Sequence, residues 1–131
     1  MPNHDADRAV LERYVEAWRT GNLEALLDAY ADDVVFHYFG TTDLADDHVG
    51  KDAAIAAMGA VSARAARELV EVVDVLVGDR RAALVVRERL TRAGESVELR
   101  RVFVYRIEDE KLAEFWLYDE DQALVDRLWA P

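Results

Sequence analysis

Glu88 and Arg101 carry charge where the surrounding pattern is apolar, so they are the first candidates for chemistry. If Ala93-Gly94 closes a two-residue hairpin, Arg92 faces Glu95 and the pairing of 82–92 with 95–107 follows. One face of that hairpin then carries Leu84, Val86, Glu88 and Leu90 with Val97, Leu99, Arg101, Phe103 and Tyr105. Glu88 faces Leu99, which leaves Arg101 one diagonal step away. An unpaired buried charge is very costly, so the two should pair. They form either an ion pair that orients the sheet or a polar handle inside an apolar cavity. His37 is the one histidine set within a structured run, since His4 lies in the tail and His48 in a loop. It is a candidate general acid or base if it faces inward. Strand alternation puts His37 and Tyr38 on opposite faces, and the plainer reading is a histidine bonded locally or facing the wrong side. Tyr14 sits one turn from Trp18 on a buried stripe, either as a core aromatic or as a hydroxyl donor to a developing oxyanion. Asp119 with Gln122 has the spacing of a helix cap.

These residues need elements to place them. Val10, Leu11, Tyr14, Val15 and Trp18 recur at helical spacing over residues 6–20, with Asp5 or Asp7 as cap and Gly21 as stop. Asn22 caps a second helix with an expected stripe of Leu23, Leu26, Leu27 and Tyr30. Residues 34–39 read as a short strand and 40–50 as loop. An alanine-rich helix over about 51–66 presents Ile55, Met58 and Val61. From there the pattern turns to strand: 69–77, 82–92, 95–107 and 112–118, followed by a helix with Ala123, Leu124, Leu128 and Trp129. Helices followed by a meander indicate an α+β domain with helices on one sheet face, spanning 1–131. The last hairpin has two registers. A four-residue loop points Glu114, Trp116 and Tyr118 inward; a three-residue loop with a bulge points Phe115, Leu117 and Asp119 inward.

Composition narrows the function. With no cysteine, disulfides, thiolate metal sites and thiol catalysis are excluded. A formal net charge of −11 argues against nucleic acid and anionic membranes as partners. The polar N-terminus lacks the pattern of a secretory signal, and no apolar run approaches the roughly 20 residues of a membrane span, so the expected location is cytoplasmic. There is no phosphate-binding glycine loop, no Gly-x-Ser-x-Gly elbow and no metal-like histidine spacing.

Several segments together resemble the SnoaL-like and ketosteroid isomerase relatives of the nuclear transport factor 2-like superfamily. They are Arg13-Tyr14-Val15-Glu16-Ala17-Trp18, Gly21-Asn22-Leu23-Glu24-Ala25, Tyr30-Ala31-Asp32-Asp33, the strand ending Phe39-Gly40, Val49-Gly50-Lys51-Asp52-Ala53, and Lys111-Leu112-Ala113-Glu114-Phe115-Trp116. The resemblance implies a cone-like curved sheet, mixed or antiparallel, wrapped by three N-terminal helices, with a short C-terminal helix and a pocket inside the cone. It favours the bulged register of the last hairpin and a homodimer through the outer sheet face, here Val102, Val104, Trp116 and Tyr118. Tyr14 falls at the oxyanion-stabilising tyrosine of the isomerases and Tyr30 at its supporting tyrosine. Asp119 falls loosely at an acid used by SnoaL-like cyclases. The isomerases' catalytic aspartate lies just before Phe39, where this chain has His37 and Tyr38. Their second acid falls on Phe103, as does the aspartate that related epoxide hydrolases pair with the arginine at position 101. Steroid isomerisation by that machinery is therefore not expected.

The expectation is a cofactor-independent isomerase, cyclase or hydrolase acting on an apolar ligand, or else a non-catalytic binding or dimerisation module. Tyr14, His37 and Asp119 are the catalytic candidates. The pocket wall is expected from Trp18, Tyr30, Phe39, Met58, Val86, Phe103, Tyr105, Phe115 and Leu117, with Glu88 and Arg101 as its polar end.

Overall fold

A computed structural model describes residues 3–131; Met1 and Pro2, which enter the reading of the polar N-terminus, lie outside them. Helix α1 (His4–Thr20) packs with α2 (Leu23–Asp28) across Gly21, whose φ of 67° is the left-handed conformation glycine adopts freely. Asn3 caps α1, not Asp5 or Asp7, because its side chain reaches the Ala6 amide. Asn22 caps α2 as expected. The expected stripe on α2 needs correction. The helix stops at Asp28, Leu23 is 64% exposed, and Tyr30 begins a strand. The Ala29 carbonyl accepts from the Leu112 amide, so sheet pairing ends the helix before Tyr30.

Strand β1 (Tyr30–His37) pairs with a short β2 (Asp47–Val49) that arises inside the expected loop. After α3 (Lys51–Arg64) come β3 (Ala66–Val77), β4 (Ala82–Arg92), β5 (Glu95–Glu108) and β6 (Lys111–Asp119), then α4 (Gln122–Leu128). The six strands run β2-β1-β6-β5-β4-β3, with β1 parallel to β6 and every other pair antiparallel. This is an α+β domain with one open, mixed sheet. Helix α3 touches β1 and β2 at one edge and β3 at the other, so the sheet must curve round it into a cone. Two register shifts in β3 supply local bend. Among the described residues no helix is long and apolar enough to cross a membrane.

The β4–β5 hairpin has the expected register, Arg92 opposite Glu95, with Ala93 and Gly94 both at positive φ as a two-residue turn requires. The β5–β6 hairpin puts Phe115, Leu117 and Asp119 inward, opposite Tyr105, Phe103 and Arg101. Its geometry matches neither loop considered from sequence. A two-residue turn at Asp109-Glu110, both at positive φ, is followed by a one-residue bulge at Ala113 that resets the faces. Tyr14, Val34, Phe36, Leu84, Val86, Tyr105 and Leu112 form the main core between sheet and helices. A second cluster, Leu90, Leu99, Leu128 and Trp129, lies under α4.

Candidate functional site

Four neighbouring strands each contribute one charged side chain to the inner face. Arg101 donates through Nε to Asp119 Oδ1 (2.6 Å) and through Nη2 to Oδ2 (3.3 Å), a two-pronged grip on the residue directly opposite it. Its Nη1 reaches Glu88 Oε1 at 3.1 Å, the diagonal contact expected from sequence. Arg67 of β3 grips Glu88 from the other side, at 3.2 Å and 3.0 Å. The chain Arg67–Glu88–Arg101–Asp119 is thus formally neutral. Glu88 is fully buried, Arg101 is 3% exposed, and the Asp119 side chain is 2% exposed. Such a set is tolerable in an apolar interior because every charge has a partner.

A second polar group comes from tyrosines. The Tyr14 and Tyr30 hydroxyls hydrogen-bond to each other, with the rings edge to face. Burial raises the Tyr14 pKa above 10.0 against the opposing bond from Tyr30. Burial, then the neighbouring Tyr14 and Tyr105, raises that of Tyr30 well above the same value. Tyr38 is pushed up to about 12 by burial. At neutral pH these are hydroxyl donors.

Tyr14, Tyr30, Tyr38, Arg67, Arg101 and Asp119 meet in one pocket of about 70 Å³, enough for roughly five waters or a small functional group. Phe103, Phe115, Leu117 and Met58 supply apolar wall, and the half-exposed Phe39 stands at the rim. The mouth is tied down by α4 and the loop after β1. Asp126 accepts from the Thr41 amide and hydroxyl, and Arg64 bonds both carboxylate oxygens of Asp43 and the Trp129 carbonyl. Glycine suits position 40 because its φ of 111° lies where other residues are strained, and a Cβ there would also displace the Asp126 carboxylate.

Several expected placements are corrected. Val86, Glu88 and Tyr105 are fully buried behind the pocket and do not line it. Trp18 stacks on Phe103 and borders a neighbouring groove instead. Asp119 does not cap α4; Asp121 does, through the Leu124 amide, which leaves Asp119 to Arg101. His37 lies on the outer sheet face, stacked on Trp116. Phe36 and Phe115 take the inner positions of the paired strands, so alternation turns His37 away from Tyr14. The same alternation turns Tyr38 inward, a signal available in the sequence. Arg67 falls outside the strand expected from Leu69, yet β3 begins at Ala66 and Arg67 shares the face of Leu69.

His37 has its own consequence. Its Nδ1 meets Asp47 Oδ1 at 2.7 Å and its Nε2 meets Glu114 Oε2 at 2.6 Å. Burial alone would lower its pKa, but the bonds to Glu114 and Asp47 outweigh that and raise it above 6.5. For Glu114, burial raises and the bonds to His37 and Arg106 lower, leaving it below 4.5. The His37 contribution to stability is fully present below pH 6.5 and is lost as pH rises through the raised value. That of Glu114 is present above pH 4.5 and is lost as pH falls through the lowered value. The urea midpoint of the parent should therefore decline above pH 6.5, and that decline should be absent from His37→Gln. Parallel pH profiles for the two proteins would refute the assignment.

The geometry agrees with the comparisons. A family model for the SnoaL-like domain matches residues 11–115. Among solved structures, a cystatin-fold protein from Xanthomonas campestris aligns at 21% identity and TM-score 0.89, over 95% of this chain and 98% of that one. TerC, co-crystallised with polyporic acid, aligns at 15% identity and TM-score 0.82, over 95% and 98%. A putative polyketide cyclase from Sinorhizobium meliloti aligns at 20% identity and TM-score 0.66, over 84% and 94%. No curated protein matches the chain in sequence. The family match over most of the chain and the shared fold together identify it as a member of the SnoaL-like domain family.

Proposed function

We propose that the chain is a cofactor-independent enzyme, an isomerase, cyclase or hydrolase, that moves a proton on a small apolar molecule bearing a carbonyl, lactone or epoxide oxygen. The observation that carries this is one pocket holding both a carboxylate, Asp119, and the neutral hydroxyls of Tyr14 and Tyr38. A carboxylate has about four lone-pair positions, and Arg101 occupies two of those on Asp119. Among the described residues no other side chain bonds that carboxylate, which leaves its remaining positions for a substrate proton. In the isomerase form, Asp119 takes a proton from the carbon beside the carbonyl, and the C–H electron pair passes into an enolate. Tyr14 donates a hydrogen bond to the enolate oxygen. Return of the proton at another carbon completes the reaction with no external electron source. Arg101 fixes the carboxylate, and Glu88 with Arg67 fixes Arg101. TerC, a protein of the same fold, was co-crystallised with an organic molecule, polyporic acid, which supports a small organic ligand for this fold.

The test is a thermal-shift screen of small ketones, lactones and epoxides, followed by deuterium exchange into bound ketones in heavy water and by hydrolysis of bound epoxides. A ligand at about 100 times its Kd should stabilise the fold by roughly 2.7 kcal/mol. Exchange or hydrolysis above the rate in buffer supports the enzyme. Binding without either reaction favours the second reading, a non-catalytic small-molecule module. That reading draws on the narrowness of the pocket and on the bidentate grip of Arg101 upon Asp119.

The outer sheet face supports a homodimer in this proposal. Val102, Val104 and Trp116 are partly exposed there, and Tyr118 is 46% exposed beside Phe39. A second copy would cover this strip of apolar surface. Light scattering at micromolar concentration should give twice the monomer mass; a monomer would refute it.

A further inference from the structure

Part of the pocket wall is shared with a second cavity. Tyr14, Met58, Arg67 and Phe103 also border a groove of about 390 Å³ between α1, α2 and α3. Its sides are aliphatic and aromatic: Leu23, Leu26 and Ile55, with Trp18 stacked on Phe103. Leu23, 64% exposed, stands at the rim of this groove.

Gly59 is the informative residue. It stands within α3, where glycine is the poorest helix former after proline. Its φ lies outside the left-handed range, and a Cβ built on it meets nothing within 4 Å. Neither backbone conformation nor packing within the chain therefore calls for glycine. What its missing side chain does is leave the groove open, on the helix face shared by Ile55, Met58 and Ser62.

Pocket and groove differ in kind. The pocket is narrow, with its polar groups at Asp119, Arg101 and Tyr14; the groove is wide and mostly apolar. Met58 stands between them, an unbranched and flexible side chain that yields easily to a thin neighbour. A polymethylene chain is the narrowest organic group that could pass such a side chain. We infer that pocket and groove form one site for a small carbonyl or lactone head carrying an unbranched alkyl chain. The head lies beside Asp119 and Arg101, and the chain runs past Met58 and over Gly59 onto Trp18. This rests on the proposed function and names its substrate class.

The test is calorimetric titration of the protein with straight-chain methyl ketones from acetone to methyl decyl ketone. Affinity should climb by about fourfold for each methylene that enters the groove, then level off. In Gly59→Phe, and independently in Ser62→Phe one turn on, the ratio of affinity between the longest and shortest ketones should collapse by at least about tenfold, the worth of two buried methylenes. Circular dichroism would confirm that each variant is folded. Short ketones that bind with no gain along the series would overturn the inference and leave the proposed function standing. A gain that survives both phenylalanine variants would likewise overturn it, by placing the chain elsewhere. No binding by any ketone or by the matching straight-chain lactones would overturn the inference, and the proposed function falls with it only if the epoxides of the screen are silent too.

Discussion

Arg101→Met should destabilise the domain by about 3–5 kcal/mol, the usual cost of removing one partner from a buried charge network. Methionine keeps much of the side-chain volume, so the loss would come from electrostatics and not from a cavity. Glu88 would still be held by Arg67, but Asp119 would lose both of its donors while 2% exposed. The stranded carboxylate is therefore the main source of the penalty. Adding Asp119→Leu to the same protein removes that charge and leaves Arg67 and Glu88 as a balanced pair. Most of the lost stability should return, because a buried ion pair is often no better than well-packed apolar groups. Urea unfolding of the parent, single and double variants measures both effects. A single variant within about 1 kcal/mol of the parent, or a double variant no better than the single, would show that the network is not what holds these strands together.

Asp119→Asn should lower turnover of an identified substrate by about 10²–10⁴-fold, the range for loss of a positioned acid or base. The amide keeps the shape and still offers an oxygen to Arg101 Nε, so the fold should lose only about 1–3 kcal/mol. That difference separates proton transfer from positioning. If Asp119 moves the proton, kcat falls while ligand Kd changes little. If it merely anchors Arg101, stability falls and the rate per folded molecule does not. Deuterium exchange at the carbon beside the carbonyl gives the rate, and unfolding gives the folded fraction. Full exchange activity in Asp119→Asn would remove Asp119 from the chemistry.

Much of this protein is legible in its residues wherever local pattern and turn chemistry agree. The stripe on α1, the stop at Gly21, the Ala93-Gly94 turn and the β4–β5 register all follow from spacing and from which residues tolerate positive φ. The pairing of Glu88 with Arg101 followed as well, because two charges on one apolar face leave little alternative. Tertiary structure decided what depended on distant partners. Tyr30 left its helix because β6 offered its backbone a ladder. The bulge at Ala113 chose the inner face of β6 and so delivered Asp119 to Arg101, which a count of loop residues could not settle. His37 turned outward because Phe36 takes the inner position, and only the folded sheet brings Asp47 of β2 and Glu114 of β6 to it. Arg67 joined the network only when β3 was laid beside β4. Hydrophobic period and turn type act over a few residues, whereas the face a charge occupies is set by the register of strands that meet only in the folded sheet.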